Sequence, residues 1–505
     1  MAELNQNNGK LLEFLVEQSD KLCDDGKPVA IILAAGHGKR IKSERSKMLH
    51  EIWGVPTVVR VARAASLGLD SANQIIVVGI KAHEVVAKMG KQAQRVFVYQ
   101  KEQKGTGDAV RTALSVLRNY QNVKSLVVFP GDMGLITPEV VADFYRYFQS
   151  SGCCLTILTG IFHGPVNENS YGRILRVPSR RADGSLSGAD EGKVIEIKEH
   201  KDILALPDDR PYEVPFRDHK YVFSKKELLE IKEYNAGVYA IQYEPFAQLI
   251  DKISPNNVQG EFYLTDIIAI FNQNDIAVEA FSVQDETAVI GFNVKSILRQ
   301  MEQIARRKVW EQLRDIIYIE DEDDFFIAEE VVQQILEMDK TCPALDIQIG
   351  KGAYISKGVQ LSRGVIIKTN CYLAGNIEIG ENTTIQENVS LSTYSGQKMV
   401  IGKNCIIMRG DLIKGNIRIG DNTRIESGVI ITGSDEFPTL IGKNVTIKGT
   451  TYIFGSIIED DLFIEHSVIK CKRVERTVRK DGSIQPVRWI MPPPQGLDII
   501  RELDE

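Results

Sequence analysis

The stretch AIILAAGHGKRIKSERSKMLH, residues 30–50, sets an apolar run against two alanines and two glycines, then four basic residues and a Lys-Met-Leu. Small residues let backbone N–H groups approach an anion closely, and nearby bases would neutralise it, so the stretch could cradle phosphates. A buried strand, a tight turn and a surface loop of solvated bases would carry the same residues. A second candidate is SLVVFPGD, residues 125–132, where the carboxylate of Asp132 follows an apolar run and would emerge at its end.

Positioning such groups needs strands that end together. PVAIILAAG, NQIIVVGI, QRVFVYQ, SLVVFPGD and CCLTILTGIF are short, β-branched and mostly apolar, as strands buried on both faces of a mostly parallel sheet are. Amphipathic stretches such as PTVVRVARAASLG and GDAVRTALSVLRNY lie between them. Strand–helix repetition predicts a doubly wound α/β domain over 29–295, with ligands at the carboxyl ends of the strands. Both LAAGHGKR and FPGD fall at such ends.

Residues 1–28 read as a helical extension, with LLEFLVEQSDKL as its amphipathic part, and residues 296–345 as a helical connector carrying an acidic EDEDD. From Ile349 the period becomes six: Ile349, Ile355, Leu361 and on to Leu391, then Ile401 to Ile431, then Ile441, Ile447 and Ile453. Seventeen aliphatic positions in phase, broken by two equal insertions near YSGQKM and GSDEFP, predict a parallel, left-handed β-helix of hexapeptide repeats over 346–471. Residues 472–505 are a tail outside the repeat.

The chain has 505 residues, 43% hydrophobic and 26% charged, with a net charge of −7. Two or more domains follow from the length, and the charge argues against a nucleic-acid partner held by bulk electrostatics. Seven cysteines, none in a C-x-x-C pair, argue against a disulfide framework or zinc site and fit a reducing, cytoplasmic setting. No apolar run has the length of a membrane span, so no membrane partner is expected.

An LAAGxGxR strand-loop followed by a hexapeptide helix resembles the sugar-1-phosphate nucleotidyltransferases, above all the bacterial N-acetylglucosamine-1-phosphate uridylyltransferases. The resemblance runs through SKMLH, YQKEQKGTGDA, PGDMGLI, SYGRI, IKEHKD, EYNAGV, QGEFYLTDII and IGFNVKS, in the family's order. It implies attack of a sugar phosphate oxygen on the α-phosphorus of UTP, giving UDP-N-acetylglucosamine and pyrophosphate.

The resemblance also implies the roles. Leu33, Ala34, Ala35 and Gly36 would hold the nucleotide with Gln100, Gly105 and Thr106. Arg40 and Lys47 would be the catalytic cations, and Asp132 with Asn293 would hold Mg²⁺. Gly172, Glu199 and Asn235 would contact the sugar. His37 would serve by backbone contact or lie exposed. A homotrimer is expected by analogy of fold.

The chain departs from the family at Pro130, Gly134, Ser46 and Ala236. Two stretches near the sugar residues, 177–193 and 203–232, are longer than in compact relatives. The acetyltransferase histidine segment of the bifunctional relatives has no counterpart, and His466 is the single histidine past residue 219. Alternatives are another sugar 1-phosphate or dTTP, a second acyl-transfer activity, and a non-catalytic sugar-nucleotide sensor or scaffold.

Overall fold

The computed structural model describes residues 2–36, 38–342 and 344–489, with side chains from residue 9 onward except Lys39. His37 and residues 490–505 of the predicted tail lie outside the described residues. The chain divides into two compact units, Met1–Met301 and Glu302–Glu505, and the boundary falls within a helix over Lys295–Leu313.

In the first unit the apolar runs form the expected strands: β1 (Val29–Ala34), β2 (Gln74–Val78), β3 (Arg95–Tyr99), β4 (Ser125–Pro130) and β5 (Leu155–Ile161). After them come β6 (Arg173–Arg176), β7 (Val194–Lys198), the hairpin β8 (Tyr212–Phe216) and β9 (His219–Phe223), β10 (Glu233–Gln242) and β11 (Val278–Ser282). The main sheet has the order β11-β5-β10-β4-β1-β2-β3, with β6 joined to β10 and β7 to β6. Pairing is parallel from β4 to β3, while β10 runs antiparallel to both its neighbours. In this register Leu33 stands opposite Pro130 and Ala34 opposite Val78, so β1, β2 and β4 end side by side.

Helices α2 (Thr57–Gly68), α3 (Ala82–Met89), α4 (Thr106–Leu117) and α5 (Pro138–Ser151) cover the two faces. Val58, Val61, Val141 and Phe144 pack in one core, and Val110, Ala113, Leu117 and Phe271 in the other. That double cover explains why the central strands are apolar on both faces. The N-terminal stretch is helix α1 (Ala2–Gln18); Leu15 is buried in the first core, and Phe14 stacks on His83 at 4.6 Å between centroids.

The second unit is a parallel β-helix whose three sheets hold 8, 8 and 7 strands. The predicted aliphatic series is its interior: Ile349, Ile367, Ile385 and Ile407 stack along one sheet, Ile355, Leu373, Leu391 and Ile413 along the next, and Leu361, Ile379, Ile401 and Ile419 along the third. The coil exceeds the hexapeptide series at both ends. Strands Tyr318–Ile319 and Phe326–Ile327, in the stretch read as connector, pair with Gln348–Ile349 and Tyr354–Ile355. Past Ile453 the interior positions are Ile458, Ile464 and Ile469, and Arg473–Val474 pairs with Ile457–Ile458.

The recurring I-G-x-N has a physical reading. At Gly420 a β-carbon would lie 2.6 Å from the Gly442 backbone in the next rung. The asparagine two residues on takes a left-handed turn, as Asn422 does at φ 59° and Asn444 at φ 57°. These amides form a ladder across rungs: Asn404 donates to Asn422 at 3.1 Å, Asn422 to Asn444 at 3.1 Å, and Asn444 to the Asp461 carboxylate at 2.9 Å.

Candidate active site

The loop after β1 meets the end of β4, where the Gly131 N–H donates to the Leu33 carbonyl at 3.0 Å. Lys47 lies in a short 3-10 turn, Lys47–Leu49, and is only 8% exposed. A buried ammonium needs compensation. Lys47 finds it in an ion pair with Asp132 and a 2.8 Å hydrogen bond to Asn293 Oδ1, and it stands 5.4 Å from the Phe292 ring centroid.

A carboxylate and an amide oxygen converging on one cation are a hard donor set, and they fit a divalent ion such as Mg²⁺ that takes its other ligands from water and phosphate. Among the described residues no three His, Cys, Asp or Glu side chains gather into a metal cluster.

A cavity of about 570 Å³ opens on this corner. Its lining includes Leu33, Ala35, Gly36, Arg40, Gln100, Gly105, Thr106 and Asp132, so eight of the sequence candidates meet around one space. Arg40 is exposed at its edge, and Pro130 also faces it.

Gln100, at the end of β3, is 5% exposed. Its amide nitrogen donates to Asp108 Oδ2 at 2.8 Å and to the Gly105 carbonyl at 3.2 Å. The carbonyl end keeps its acceptor capacity, with no protein donor among the described residues. Gly105 is held at φ 113°, and a β-carbon there would lie 2.5 Å from the Phe262 carbonyl. Thr106 Oγ1 accepts from the Leu264 N–H at 3.0 Å, which stitches the GTG turn to the QGEFYLTD segment.

The sugar candidates come together beside this cavity. The Asn235 N–H donates to the Gly172 carbonyl at 2.9 Å, and a β-carbon on Gly172 would lie 3.1 Å from Glu199 Oε1. The Asn235 amide donates to the Tyr239 hydroxyl at 2.7 Å and accepts from the Gly237 N–H at 2.8 Å, which fixes the bulge in β10. Glu199 faces a second cavity of about 240 Å³, lined also by Glu196, Lys198, Asp202, Tyr263 and Asp266. Burial, reinforced by the charges of Asp202 and Asp266, pushes the Glu199 carboxyl up to about 7; Thr265 and Arg173 oppose it. Burial and Glu196 raise Asp266 to about 6.

Several residues escaped sequence reasoning. Gln103, Lys201, Gln259 and Glu261 line the first cavity. The Gln103 amide donates to the Ala35 carbonyl, and Lys201 pairs with Gln259. Gln103 and Gln259 each sat inside a recognised motif, which was the available signal. Arg173 is fully buried, and its guanidinium grips Asn169 through Oδ1 at 2.9 Å and the carbonyl at 2.8 Å. His466 pairs with Thr450 Oγ1 at 2.7 Å on a left-handed corner of the coil.

Among known proteins, residues 30–176 match the MobA-like NTP transferase domain family. The chain is 32% identical over 305 residues to the bifunctional protein GlmU of Acetivibrio thermocellus, covering 60% of this chain and 57% of that protein. It is 34% identical over 281 residues to the bifunctional protein GlmU of Clostridium tetani, covering 55% and 52%. The chain thus spans somewhat over half the length of these curated relatives. A crystal structure of UDP-glucose pyrophosphorylase complexed with UDP-glucose aligns at 15% identity and a TM-score of 0.40 over 56% of this chain and 99% of that one, too slight a likeness to argue from. No helix among the described residues is long and apolar enough to cross a membrane. The matched residues 30–176 take in strands β1 to β6 of the first unit and the loop that follows β1.

Proposed function

We propose that this chain is a sugar-1-phosphate nucleotidyltransferase that joins UTP and N-acetylglucosamine-1-phosphate to give UDP-N-acetylglucosamine and pyrophosphate. The observation that carries this reading is the single cavity onto which the loop after β1, the Gln100–Thr106 turn and Asp132 all open. A sugar phosphate oxygen attacks the α-phosphorus, the bond to the β-phosphate oxygen breaks, and pyrophosphate leaves. The protein's task is to align two anions and neutralise charge as it moves.

Backbone N–H groups of residues 34–36 bind phosphate, and Arg40 meets the leaving pyrophosphate from the cavity edge. Mg²⁺ held by Asp132 and Asn293 would supply charge neutralisation at the phosphates. Lys47, already buried against both residues, turns its ammonium to the nucleotide. The free acceptor of Gln100 suits the N3–H of a pyrimidine dione. Uracil and thymine share that edge, and Pro130 in the cavity wall departs from the family, so dTTP is the second reading. Gly172, Glu199 and Asn235 orient the sugar, and the β-helix serves as a scaffold for a homotrimer.

The test is pyrophosphate release from UTP and from dTTP with Mg²⁺, with and without N-acetylglucosamine-1-phosphate. Release that requires both UTP and this sugar phosphate supports the reading. Release with dTTP alone moves it to the thymidylyl reaction, and no release with any sugar 1-phosphate overturns it.

A further inference from the structure

The stretch 203–232 is not a loose loop. Helix α6 (His200–Ala205) leads into it, the β8–β9 hairpin forms its middle, and helix α7 (Lys225–Glu230) closes it. Val214, Phe216, Tyr221 and Leu228 bury themselves against Leu175 and Ile195 of the β6–β7 ribbon, in a core separate from those of the main sheet. This packing sets Tyr212, the first residue of β8, on the polar edge of β7. Its ring lies 4.3 Å from Lys198 Nζ, its hydroxyl donates to Glu196 Oε1 at 2.7 Å, and Lys198 donates to that hydroxyl at 3.0 Å.

Glu196 and Lys198 belong to the wall of the second cavity, as do Glu199, Asp202 and Asp266. Four carboxylates therefore face one ammonium, and Tyr212 and Glu196 already engage that ammonium. Helix α6 and the segment 256–263 line both cavities: Lys201 and Gln259 face the first, Asp202 and Tyr263 the second.

Resting on the nucleotidyltransferase reading, we propose that the 203–232 segment is a selector for the sugar. Tyr212 is its positioning residue, and the second cavity accepts sugar 1-phosphates bearing hydroxyl or amide donors while rejecting those bearing a carboxylate. Acceptor oxygens match hydroxyl and amide N–H groups, whereas a carboxylate meets like charge there and finds the lysine of the cavity wall already engaged.

The experiment is equilibrium binding of glucose 1-phosphate and glucuronic acid 1-phosphate to the full chain, with Mg²⁺ and a UTP analogue carrying a methylene between the α- and β-phosphorus. Wild type binds glucose 1-phosphate about tenfold or more tightly than its uronate. Tyr212→Phe keeps the ring over Lys198, loses the hydroxyl and narrows that ratio; Lys198→Met widens it. Neither variant changes the affinity for the UTP analogue. Equal binding of the two sugars to wild type, an unchanged ratio in both variants, a parallel loss of UTP-analogue affinity, or no sugar binding at all overturns the proposal. Selective binding without pyrophosphate release from UTP and any sugar 1-phosphate sinks the reaction and leaves the selector standing. Release without selectivity does the reverse.

Discussion

Lys47 and Asn293 are 246 residues apart in the chain, yet the lysine ammonium donates to the asparagine Oδ1 at 2.8 Å while pairing with Asp132. In the free chain Lys47 is thus the counter-ion of the oxygens that fit a divalent metal. Its removal should have two opposite effects. Lys47→Met should bind Mn²⁺ alone several-fold more tightly, read as loss of the free-ion signal in electron paramagnetic resonance. Its turnover should fall by about 10²-fold or more, because the phosphates lose a buried cation. Unchanged Mn²⁺ affinity would mean that lysine and metal do not compete.

Asp132 leaves the end of β4 with its side chain only 15% exposed. Asp132→Ala should cut pyrophosphate release by about 10²- to 10³-fold while the circular dichroism spectrum and oligomeric state stay unchanged. Near-native activity with Mg²⁺ would remove Asp132 from the metal site.

Glu199 gives a pH signature. Its carboxyl lies at about 7 in the fold, so its ionised fraction grows as pH rises from 6 to 8. If the carboxylate accepts from sugar hydroxyls, KM for the sugar phosphate falls over that interval. In Glu199→Gln this contribution is absent, while titration of the substrate phosphate is common to both proteins and cancels in the comparison. Identical KM–pH profiles would place Glu199 outside the sugar site.

Asp411 carries the matching argument for stability. It is 1% exposed inside the coil; one carboxylate oxygen accepts from the Val429 N–H at 2.8 Å and the other has no hydrogen-bond partner among the described residues. Burial raises it to about 7. The folded chain then holds a proton that the unfolded chain has already lost, so stability declines as pH rises between about 4 and 7. Asp411→Asn, which keeps the acceptor for Val429, should gain roughly 1–3 kcal/mol over wild type at pH 8 and nothing at pH 4. Hydrogen exchange in the rungs around residue 411 measures the difference. A gain independent of pH would refute the assignment.

Legibility in the sequence followed the range of the interaction that fixed each feature. The coil interior was readable because each hexapeptide repeats one local rule, an aliphatic residue in phase, and a Gly–x–Asn corner follows that residue at Ile379, Ile401, Ile419 and Ile441. The first rung was not, since the helix Glu329–Asp339 separates Ile319 and Ile327 from Ile349. The last rungs were hidden where Ile458 and Ile469 break the spacing of six. In the site, the loop after β1 and Asp132 could be placed because each follows an apolar strand, whereas Gln100 entered through the family resemblance. The grip of Lys47 on Asn293, the contact of Gln103 with the Ala35 carbonyl and the reach of Tyr212 to Glu196 arise only when distant segments meet.

The asparagine ladder of the coil has a direction. From Asn404 on, each amide gives a hydrogen to the rung after it and receives one from the rung before, so every step leaves a new donor seeking an acceptor. The Asp461 carboxylate receives from Asn444 and has no N–H to pass on, and its other oxygen pairs with Arg476 at 3.4 Å. The series therefore closes on a full stop: a side chain that only accepts, sealed by an arginine from beyond the last turn. A solenoid with open edges could act as a template for further copies of itself, and along this ladder the side-chain pairing is spent.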